Sequence, residues 1–268
     1  MSHRRHGLQR NILGKSGRLA YSPVVNWPDQ CAVIIPCLDE RASIHSLVGA
    51  VRRLLPHVVV VDDGSTDDTA RQAELAGAQV IRHPQSRGKG AALKSGWQRA
   101  RERGFAWVLT IDGDGQHAPE DIPFFLRHAE RTQAPLIVGN RMPQARAMPW
   151  VRRWTNRWMS RRLSALTGQE LPDSQCGFRL IRLEALAGLV FETDHFEIES
   201  EMLVRFAEAK LAIEFVPIRV IYGAQQSKIH VGRDAWRWLR WWSRLRRVRR
   251  RCRPPMDRKP VSPQTAAS

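Results

Sequence analysis

The sequence predicts a doubly wound α/β fold around a mostly parallel sheet. Short runs of apolar, β-branched residues alternate with longer stretches of helical composition. Each short run is almost entirely apolar, as expected for strands that are covered by helices on both faces of a sheet. With 268 residues, of which 43% are hydrophobic, the chain is also long enough to bury one sizeable core.

Strands and helices alternate through the first half of the chain. The strands are predicted at Ala32–Ile35, Val58–Val61, Gln79–Ile81, Val108–Ile111 and Leu136–Val138. The helices are predicted at Ser43–Leu55, Asp67–Ala76, Ala91–Arg103 and Glu120–Arg131. Repeated strand–helix–strand units of this kind form doubly wound sheets, whose ligands bind beyond the carboxyl ends of the strands.

The second half has a different rhythm and ends with a basic helix. Helices are predicted at Trp150–Leu166, Glu199–Ala209 and 234–251, and strands at Gly177–Ile181 and Ile213–Ile221. The pattern divides the chain into a basic flexible arm over 1–28, a catalytic domain over 29–232, a Trp-rich amphipathic helix over 233–253 and a disordered tail over 254–268.

The charge and the cysteines narrow the class of protein. A formal net charge of +17 favours polyanionic partners, such as nucleic acid, anionic lipid or phosphorylated substrates. The four cysteines are scattered and form no C-x-x-C pair, so we expect neither a disulfide framework nor a zinc site. Because no run reaches the ~18 apolar residues of a spanning helix, the sequence predicts a soluble or peripheral protein.

Acidic residues directly follow two of the predicted strands. Asp62 and Asp63 come after the second strand, and Asp112 and Asp114 come after the fourth. Either group alone could be a turn, but two such groups at strand ends of one α/β unit predict a site. Asp112 and Asp114 flank one glycine and can direct their carboxylates to a shared point. Mg²⁺ and Mn²⁺ favour such oxygen ligands together with substrate phosphates, and a diphosphate leaving group needs this charge neutralisation.

Four sequence blocks, in order, resemble glycosyltransferase family 2 enzymes of the GT-A fold. They are Val33–Glu40 (VIIPCLDE), Val59–Asp67 (VVVDDGSTD), Arg87–Gly90 (RGKG) and Asp112–Gln116 (DGDGQ). The resemblance is greatest to the branch of dolichyl-phosphate mannose and glucose synthases and their bacterial polyprenyl-phosphate relatives. It covers roughly Cys31 to Arg240. Asp39 replaces the Asn that is usual in the family's first block.

The resemblance implies an inverting, metal-dependent hexosyltransferase that uses a UDP- or GDP-sugar. It assigns the nucleotide-sugar site to Pro36, Leu38, Glu40, Val61, Asp63, Gly88, Lys89, Asp112 and Gly113. Within that set, Asp63 would accept from the base, and Gly88 and Gly90 would let the backbone approach the donor. Lys89 would meet phosphate, unless the basic loop is merely solvated. Mg²⁺ or Mn²⁺ would be held by Asp112, Asp114 and Gln116.

Further blocks of the same resemblance point to the acceptor. These blocks are Val138–Arg141, Asp173–Arg179, Phe196–Glu199, Val216–Tyr222 and Ser227–Ile229. They imply that the acceptor phosphate and the departing diphosphate are held by Arg141, Arg219 and Lys228, although each could be an ordinary surface cation. The catalytic set implied is Asp112, Asp114, Arg141 and Glu199.

The expected acceptor is a polyprenyl or dolichyl phosphate. Such a phosphate is already anionic, so its oxygen needs no strong general base, and catalysis consists mostly of positioning and charge stabilisation. A sugar hydroxyl would instead need a carboxylate base, for which Glu199 and Asp173 are the candidates.

Two helices combine tryptophan with arginine. Trp150, Trp154 and Trp158 form one stripe of the first. In the second, the residues predicted on one face are Trp238, Trp241, Trp242, Leu245 and Val248, and those opposite are Arg237, Arg240, Arg244, Arg247 and Arg251. This composition is typical of helices in a membrane interface, and it predicts peripheral association with the anionic cytoplasmic face of a membrane. One alternative is that these helices pack on the protein's own core. Another is that they bind nucleic acid, but we do not expect a nucleic-acid partner.

Three other functions remain compatible with the sequence. The acceptor could be a glycan, a lipid hydroxyl or a small metabolite. The chain could also be a non-catalytic basic protein that binds membrane or nucleic acid, or a nucleotidyltransferase with a similar sheet. Since no spanning helix is predicted, moving a lipid-linked sugar across a membrane would require a separate membrane partner.

Overall fold

The computed structural model describes residues 25–221 and 231–251. Within them the strands are β1 (Cys31–Cys37), β2 (Val58–Asp62), β3 (Gln79–Arg82), β4 (Trp107–Thr110), β5 (Leu136–Asn140), β6 (Arg179–Arg182) and β7 (Ile213–Pro217). The α-helices are α1 (Trp27–Gln30), α2 (Ile44–Arg52), α3 (Thr69–Leu75), α4 (Lys89–Glu102), α5 (Ile122–Thr132), α6 (Trp150–Thr167), α7 (Glu197–Glu208) and α8 (Val231–Arg251). Short 3₁₀ helices lie at Pro119–Asp121, Met142–Ala147 and Leu183–Leu186.

The strands of the described residues form one sheet in the order β3-β2-β1-β4-β6-β5-β7. All pairings are parallel except those of β6, which runs antiparallel to both β4 and β5. This confirms the predicted mostly parallel, doubly wound α/β sheet. The chain winds from β1 outward to β3 and then returns to place β4 on the other side of β1. Ligands of such sheets bind at this switch point, beyond the carboxyl ends of the strands.

The central strands are buried because they are apolar on both faces. Every residue of β1, β2 and β4 is buried. Strand β3 differs from its prediction as a buried strand, because its first three residues are half-buried and Arg82 is exposed. The reason is its place at the sheet edge, where it has a neighbour on one side only.

Two residues that the sequence assigned to the basic arm belong to a helix. Trp27 and Pro28, assigned to the basic arm, belong to α1. The Trp27 ring is buried at 5.5 Å from Trp107, and its indole N–H donates to Glu130 Oε1 at 2.7 Å. The flexible arm is therefore wrong for these last residues, and the rest of it, over 1–24, lies outside the described part. The predicted tail over 254–268 lies outside it as well.

Three helices pack together on the side of the sheet that carries the second half of the chain. Helix α7 contacts both α6 and α8. The Trp238 indole N–H of α8 donates to Ser200 Oγ of α7 at 3.0 Å, and the Trp238 ring lies 5.4 Å from Trp158 of α6. Much of the apolar stripe of α8 thus faces the protein. No helix among the described residues has the length and apolar character that a membrane span requires.

Candidate active site

The ends of β1, β2 and β4 meet at the sheet's switch point. The Asp63 N–H, just past β2, donates to the carbonyl of Cys37 at 2.9 Å. Past β4, the carbonyl of Gly113 accepts from Ser43 Oγ at 2.7 Å. A side chain at Gly113 would meet Cys37 Cβ at 2.9 Å, so only glycine allows this close approach. The structure therefore brings together the first, second and fourth predicted blocks.

Lys89, at the first turn of α4, joins the third block to this cluster. Its Nζ lies 2.6 Å from Asp112 Oδ1 and 2.6 Å from Glu199 Oε1. Burial would lower the pKa of Lys89, but the charges of Asp112 and Glu199 raise it well above its ordinary value. Burial would raise the pKa of Asp112, and the charge of Lys89 holds it well below the usual range. The ammonium is thus a counter-ion for both carboxylates, rather than part of a solvated loop.

Asp114 adds a second carboxylate to the cluster. Its Oδ1 accepts from the Gln116 N–H at 3.0 Å, which fixes the turn after β4. Burial and the neighbouring charge of Asp112 raise the pKa of Asp114. Negative charge exceeds positive charge here, because three carboxylates, Glu199 included, face two cations. These are Lys89 and the buried Arg179, whose guanidinium donates to the Glu199 carbonyl at 2.8 Å.

Gly177 lets its backbone approach Asp112 and Lys89 closely. A Cβ at this position would lie 2.5 Å from Asp112 Oδ1, 2.7 Å from Oδ2 and 2.8 Å from Lys89 Nζ. The residue precedes β6, whose antiparallel course brings it back to the end of β4. The missing side chain therefore leaves the room that the paired Asp112 and Lys89 side chains occupy.

The residues present fit a hard divalent cation. Asp112, Asp114 and Gln116 lie on one short turn and offer oxygen atoms, and the excess negative charge favours a cation. Among the described residues, no three or more His, Cys, Asp or Glu side chains gather into a metal cage. The ion would therefore need phosphate oxygens of a substrate to complete its shell, as is usual for Mg²⁺.

Asp63 supports the loop before α4. Its carboxylate accepts from His83 Nδ1 at 2.7 Å, Ser86 Oγ at 2.8 Å and the backbone N–H of Gly88 at 2.7 Å. Burial would raise the pKa of Asp63, yet the backbone N–H groups and His83 hold it below its ordinary value. The hydrogen-bond donors to the Asp63 carboxylate thus come from the chain itself. Contact between Asp63 and a nucleotide base stays a prediction.

The other predicted donor-site residues lie at the same edge of the sheet. Pro36 is the last residue but one of β1. Leu38 and Glu40 follow the strand and are half-buried. Val61 is wholly buried in β2. Asp39 has φ of 50° and accepts from the Thr66 N–H at 2.7 Å. Both Asp and Asn adopt this left-handed conformation, so the departure from the family's Asn is compatible with the local backbone.

Gly88 and Gly90 admit a segment of this chain. A Cβ at Gly90 would meet the Asp194 backbone at 2.7 Å, and one at Gly88 would collide with His195. The Ala91 N–H donates to the Asp194 carbonyl at 3.1 Å. What approaches these glycines here is therefore the loop before α7, and their approach to a donor stays a prediction.

Arg141 forms an ion pair with the buried Asp173, and its contact with phosphate stays a prediction. It donates through Nε to Asp173 Oδ2 at 2.8 Å and through Nη2 to Oδ1 at 2.9 Å. Asp173 is wholly buried and also accepts from Asn156 Nδ2 at 2.8 Å. Burial would raise the pKa of Asp173, but the charge of Arg141 lowers it. A carboxylate so engaged fits an anchor for Arg141 better than the general base predicted as an alternative.

The remaining predicted phosphate-binding residues are not gathered with this cluster. Arg219 donates through Nε to the buried Asp121 at 2.9 Å, and its guanidinium lines a separate cleft of about 390 Å³ with Phe124 and Ile218. Lys228 lies outside the described residues. Strand β7 ends before the predicted Ile221, but Val220 forms a bridge to His117 that ties this segment to the turn after Asp114.

Sequence reasoning missed two contributors to the cluster. His117 is buried with Nε2 3.6 Å from Asp112 Oδ2, and its Nδ1 has no hydrogen-bond partner among the described residues. Its position three residues after Asp114 was the available signal. Glu201 accepts from the N–H groups of Glu192 and Thr193 at 3.0 Å and so holds the loop that covers Gly88. It lies two residues after Glu199, but its buried position follows only from the fold.

Sequence comparison relates the chain to one family of enzymes. The family model described as "Glycosyl transferase family 2" matches residues 32–189. The UDP-N-acetylglucosamine–dolichyl-phosphate N-acetylglucosaminyltransferase of Methanococcus voltae is 30% identical, over 71% of this chain and 85% of the relative. The polyprenol monophosphomannose synthase of Mycolicibacterium smegmatis is 34% identical, over 58% of this chain and 62% of the relative.

Structural comparison agrees on the fold. Glucosyl-3-phosphoglycerate synthase from Mycobacterium tuberculosis, crystallised with Mn²⁺, UDP-glucose and phosphoglyceric acid, superposes with a TM-score of 0.61 and 23% sequence identity. The match covers 78% of this chain and 77% of that one. The same enzyme with Mg²⁺ and UDP gives a TM-score of 0.55. These likenesses support the predicted GT-A fold.

Proposed function

Because this chain belongs to glycosyl transferase family 2, we propose that it moves a hexose from a nucleotide-diphosphate sugar to a polyprenyl phosphate at the cytoplasmic face of a membrane. The observation that carries the proposal is the cluster of Asp112, Asp114, Lys89 and Glu199 at the switch point of the sheet. Relatives named for dolichyl-phosphate and polyprenol-phosphate products support the acceptor class.

The donor's diphosphate would lie against the turn after β4. Asp112, Asp114 and Gln116 would hold Mg²⁺ or Mn²⁺, and a structural neighbour that binds Mn²⁺ with UDP-glucose supports this use. Such an ion, when bound, neutralises charge on the leaving diphosphate. Lys89 can then donate to a diphosphate oxygen, since its Nζ already lies 2.6 Å from Asp112 Oδ1.

The state of Glu199 favours a phosphate acceptor over a hydroxyl. Its Oε1 already accepts a hydrogen bond from Lys89 Nζ at 2.6 Å, so this oxygen is occupied and does not face an acceptor hydroxyl. A phosphate oxygen needs no proton removed. It would attack the anomeric carbon opposite the diphosphate, forming the new C–O bond as the bond to diphosphate breaks and inverting that centre.

A transfer assay tests the proposal. Purified protein with Mg²⁺ or Mn²⁺ is offered UDP-glucose, UDP-N-acetylglucosamine or GDP-mannose, with and without a short polyprenyl phosphate. The expected result is a lipid-linked sugar from one donor, reduced by on the order of 100-fold in Asp114→Asn. Asp68→Asn, an exposed acid beside α3, is the matched control and should keep full activity. Donor turnover that needs a glycan or small-molecule acceptor would contradict the acceptor assignment.

A further inference from the structure

Large apolar side chains are exposed together on α6 and α8. Trp150 and Trp154 of α6 are 73% and 64% exposed, and Trp236 of α8 is 58% exposed. Val151 and Leu239 beside them are also exposed. We call these five residues the tryptophan face. Tryptophan side chains usually bury most of their area, so three on adjoining helices call for a partner.

The tryptophan face is distinct from the part of the same helices that packs inward. Trp238 is 2% exposed and stacks on Trp242 with 5.2 Å between ring centroids. Trp238 also contacts Trp158, which joins α8 to α6. The core already has these aromatic residues. The exposed ones are therefore a second set, and the predicted membrane stripe of α8 is wrong for Trp238 and Trp242.

The surroundings of the tryptophan face are mostly basic, although α8 also contains Asp234. Exposed arginines follow it along both helices: Arg157, Arg161, Arg162, Arg240, Arg244, Arg246 and Arg247. Neither 150–167 nor 236–251 contains an acidic residue. The Arg240 guanidinium lies 5.4 Å from the centre of the Trp236 ring. Positive charge without acidic neighbours on the same segments fits an anionic partner.

We propose that the tryptophan face docks on an anionic lipid bilayer. Indole rings favour the head-group region, where an apolar ring meets acyl chains and its N–H meets water. The arginines around them would lie against anionic head groups. A single-stranded nucleic acid could also stack on tryptophan, but Val151 and Leu239 have no ring for stacking and suit acyl chains. A second copy of this face would bring arginine against arginine.

Helix α6 is linked to the candidate site through α7, which it contacts and whose first turn carries Glu199. Helix α6 follows Arg141 after only the 3₁₀ helix Met142–Ala147. Arg141 directly follows β5. Strand β5 pairs with β6, which begins two residues after Gly177. The inference goes beyond the proposed transfer reaction, because docking requires neither donor nor acceptor.

Vesicle flotation tests the docking surface without any substrate. The full chain is mixed at low salt with phosphatidylcholine vesicles that contain a quarter phosphatidylglycerol, or with phosphatidylcholine alone, and floated. We expect flotation only with the anionic vesicles. The double variant Trp150→Ala/Trp154→Ala should bind about tenfold more weakly. Leu75→Ala, which removes an equally exposed apolar side chain from α3, should bind like the wild type.

Charge variants separate a local surface from net charge. Arg157→Glu/Arg161→Glu on α6 should weaken binding by about 25-fold or more, at about fivefold for each arginine removed. Arg53→Glu/Arg71→Glu changes net charge equally at two exposed positions, directly after α2 and within α3, and should have a far smaller effect. Equal losses in the two pairs would overturn the proposal. So would failure to float, tighter binding to single-stranded RNA than to vesicles, or a dimer that the tryptophan variant dissociates.

Discussion

Lys89 is the residue on which the electrostatics of the candidate site depend. Burying an ammonium and two carboxylates costs several kcal/mol for each ion, and close pairing must offset that cost. Here the pairing is tight, with 2.6 Å from Nζ to Asp112 and to Glu199. The lysine therefore holds the carboxylates in place and also occupies an oxygen that a divalent ion would use.

Removing Lys89 should make the carboxylate cluster a better metal site. In Lys89→Met, the affinity for Mn²⁺ without nucleotide should rise by at least about tenfold, since a nearby positive charge is lost. Titration calorimetry or electron paramagnetic resonance of free Mn²⁺ measures this. Lys94→Met, which removes a more exposed lysine paired with Asp194, is the control and should leave Mn²⁺ affinity unchanged. Weaker binding in Lys89→Met would show that the lysine does not compete with the ion.

Gly177 offers a test of the space beside Asp112. In Gly177→Ala, the added Cβ would lie 2.5 Å from Asp112 Oδ1 and should displace it, lowering transfer by on the order of 100-fold. Gly49→Ala is the control, because nothing lies within 4 Å of a Cβ there and Gly49 is inside α2. That variant should keep its activity and gain up to about 1 kcal/mol of stability. Full activity in Gly177→Ala would remove this position from the site.

The Arg141–Asp173 pair should appear in the pH dependence of stability. The folded-state pKa of Asp173 is lowered, so its ionised form stabilises the fold above the ordinary Asp value of 3.8 and the contribution is lost as pH falls through the lower, folded-state pKa. Asp173→Asn should therefore lose about 3 kcal/mol of unfolding free energy near pH 7, and the difference should shrink towards about pH 3. Urea unfolding at both pH values measures it. A constant difference would contradict the pairing.

For single residues, positions next to strand ends could be predicted from the sequence. Contacts between residues far apart in the chain could not. Asp112 and Asp114 were placed correctly because strand ends and their turns are local features. The contact of Lys89 with Glu199 joins residues 110 positions apart, and no local pattern records it. The motif predicted that Arg141 binds phosphate. A motif identifies an arginine, but it does not show which buried carboxylate pairs with that arginine.

At the scale of elements, periodicity identified the helices better than their orientation. All five early strands and the helices between them occur within a few residues of their predicted bounds. For α8 the apolar face was identified, but periodicity does not reveal whether a face meets protein or membrane. The structure turns Trp238 and Trp242 inward and leaves Trp236 outward, only two residues away.

Two neighbouring tryptophans on α8 should therefore behave differently. Trp238→Ala removes a buried ring and its bond to Ser200, and should cost about 3–5 kcal/mol of unfolding free energy. Trp236→Ala alters an exposed ring and should stay within about 0.5 kcal/mol of the wild type. Urea denaturation of the full chain distinguishes them. Similar losses in both would mean that α8 does not pack as described.

At the scale of the whole molecule, the acidic cluster and the basic surface lie on different elements. The order of the strands gathers the carboxylates at one switch point, as doubly wound sheets generally do. The net charge of +17, which the sequence alone could not assign to a partner, is concentrated partly on α6 and α8. The proposed donor site at the carboxyl ends of the central strands and the basic aromatic surface on α6 and α8 together favour a lipid-linked acceptor.

The most direct test of this account is the ratio of lipid-linked sugar to released nucleotide in one reaction. Labelled donor, a divalent ion and a short polyprenyl phosphate are incubated with the wild type, and both products are counted. We predict one sugar on lipid for each nucleoside diphosphate released, and both products should fall by on the order of 100-fold in Asp114→Asn. Nucleotide release without lipid product, or release that is unaffected by that substitution, would contradict it.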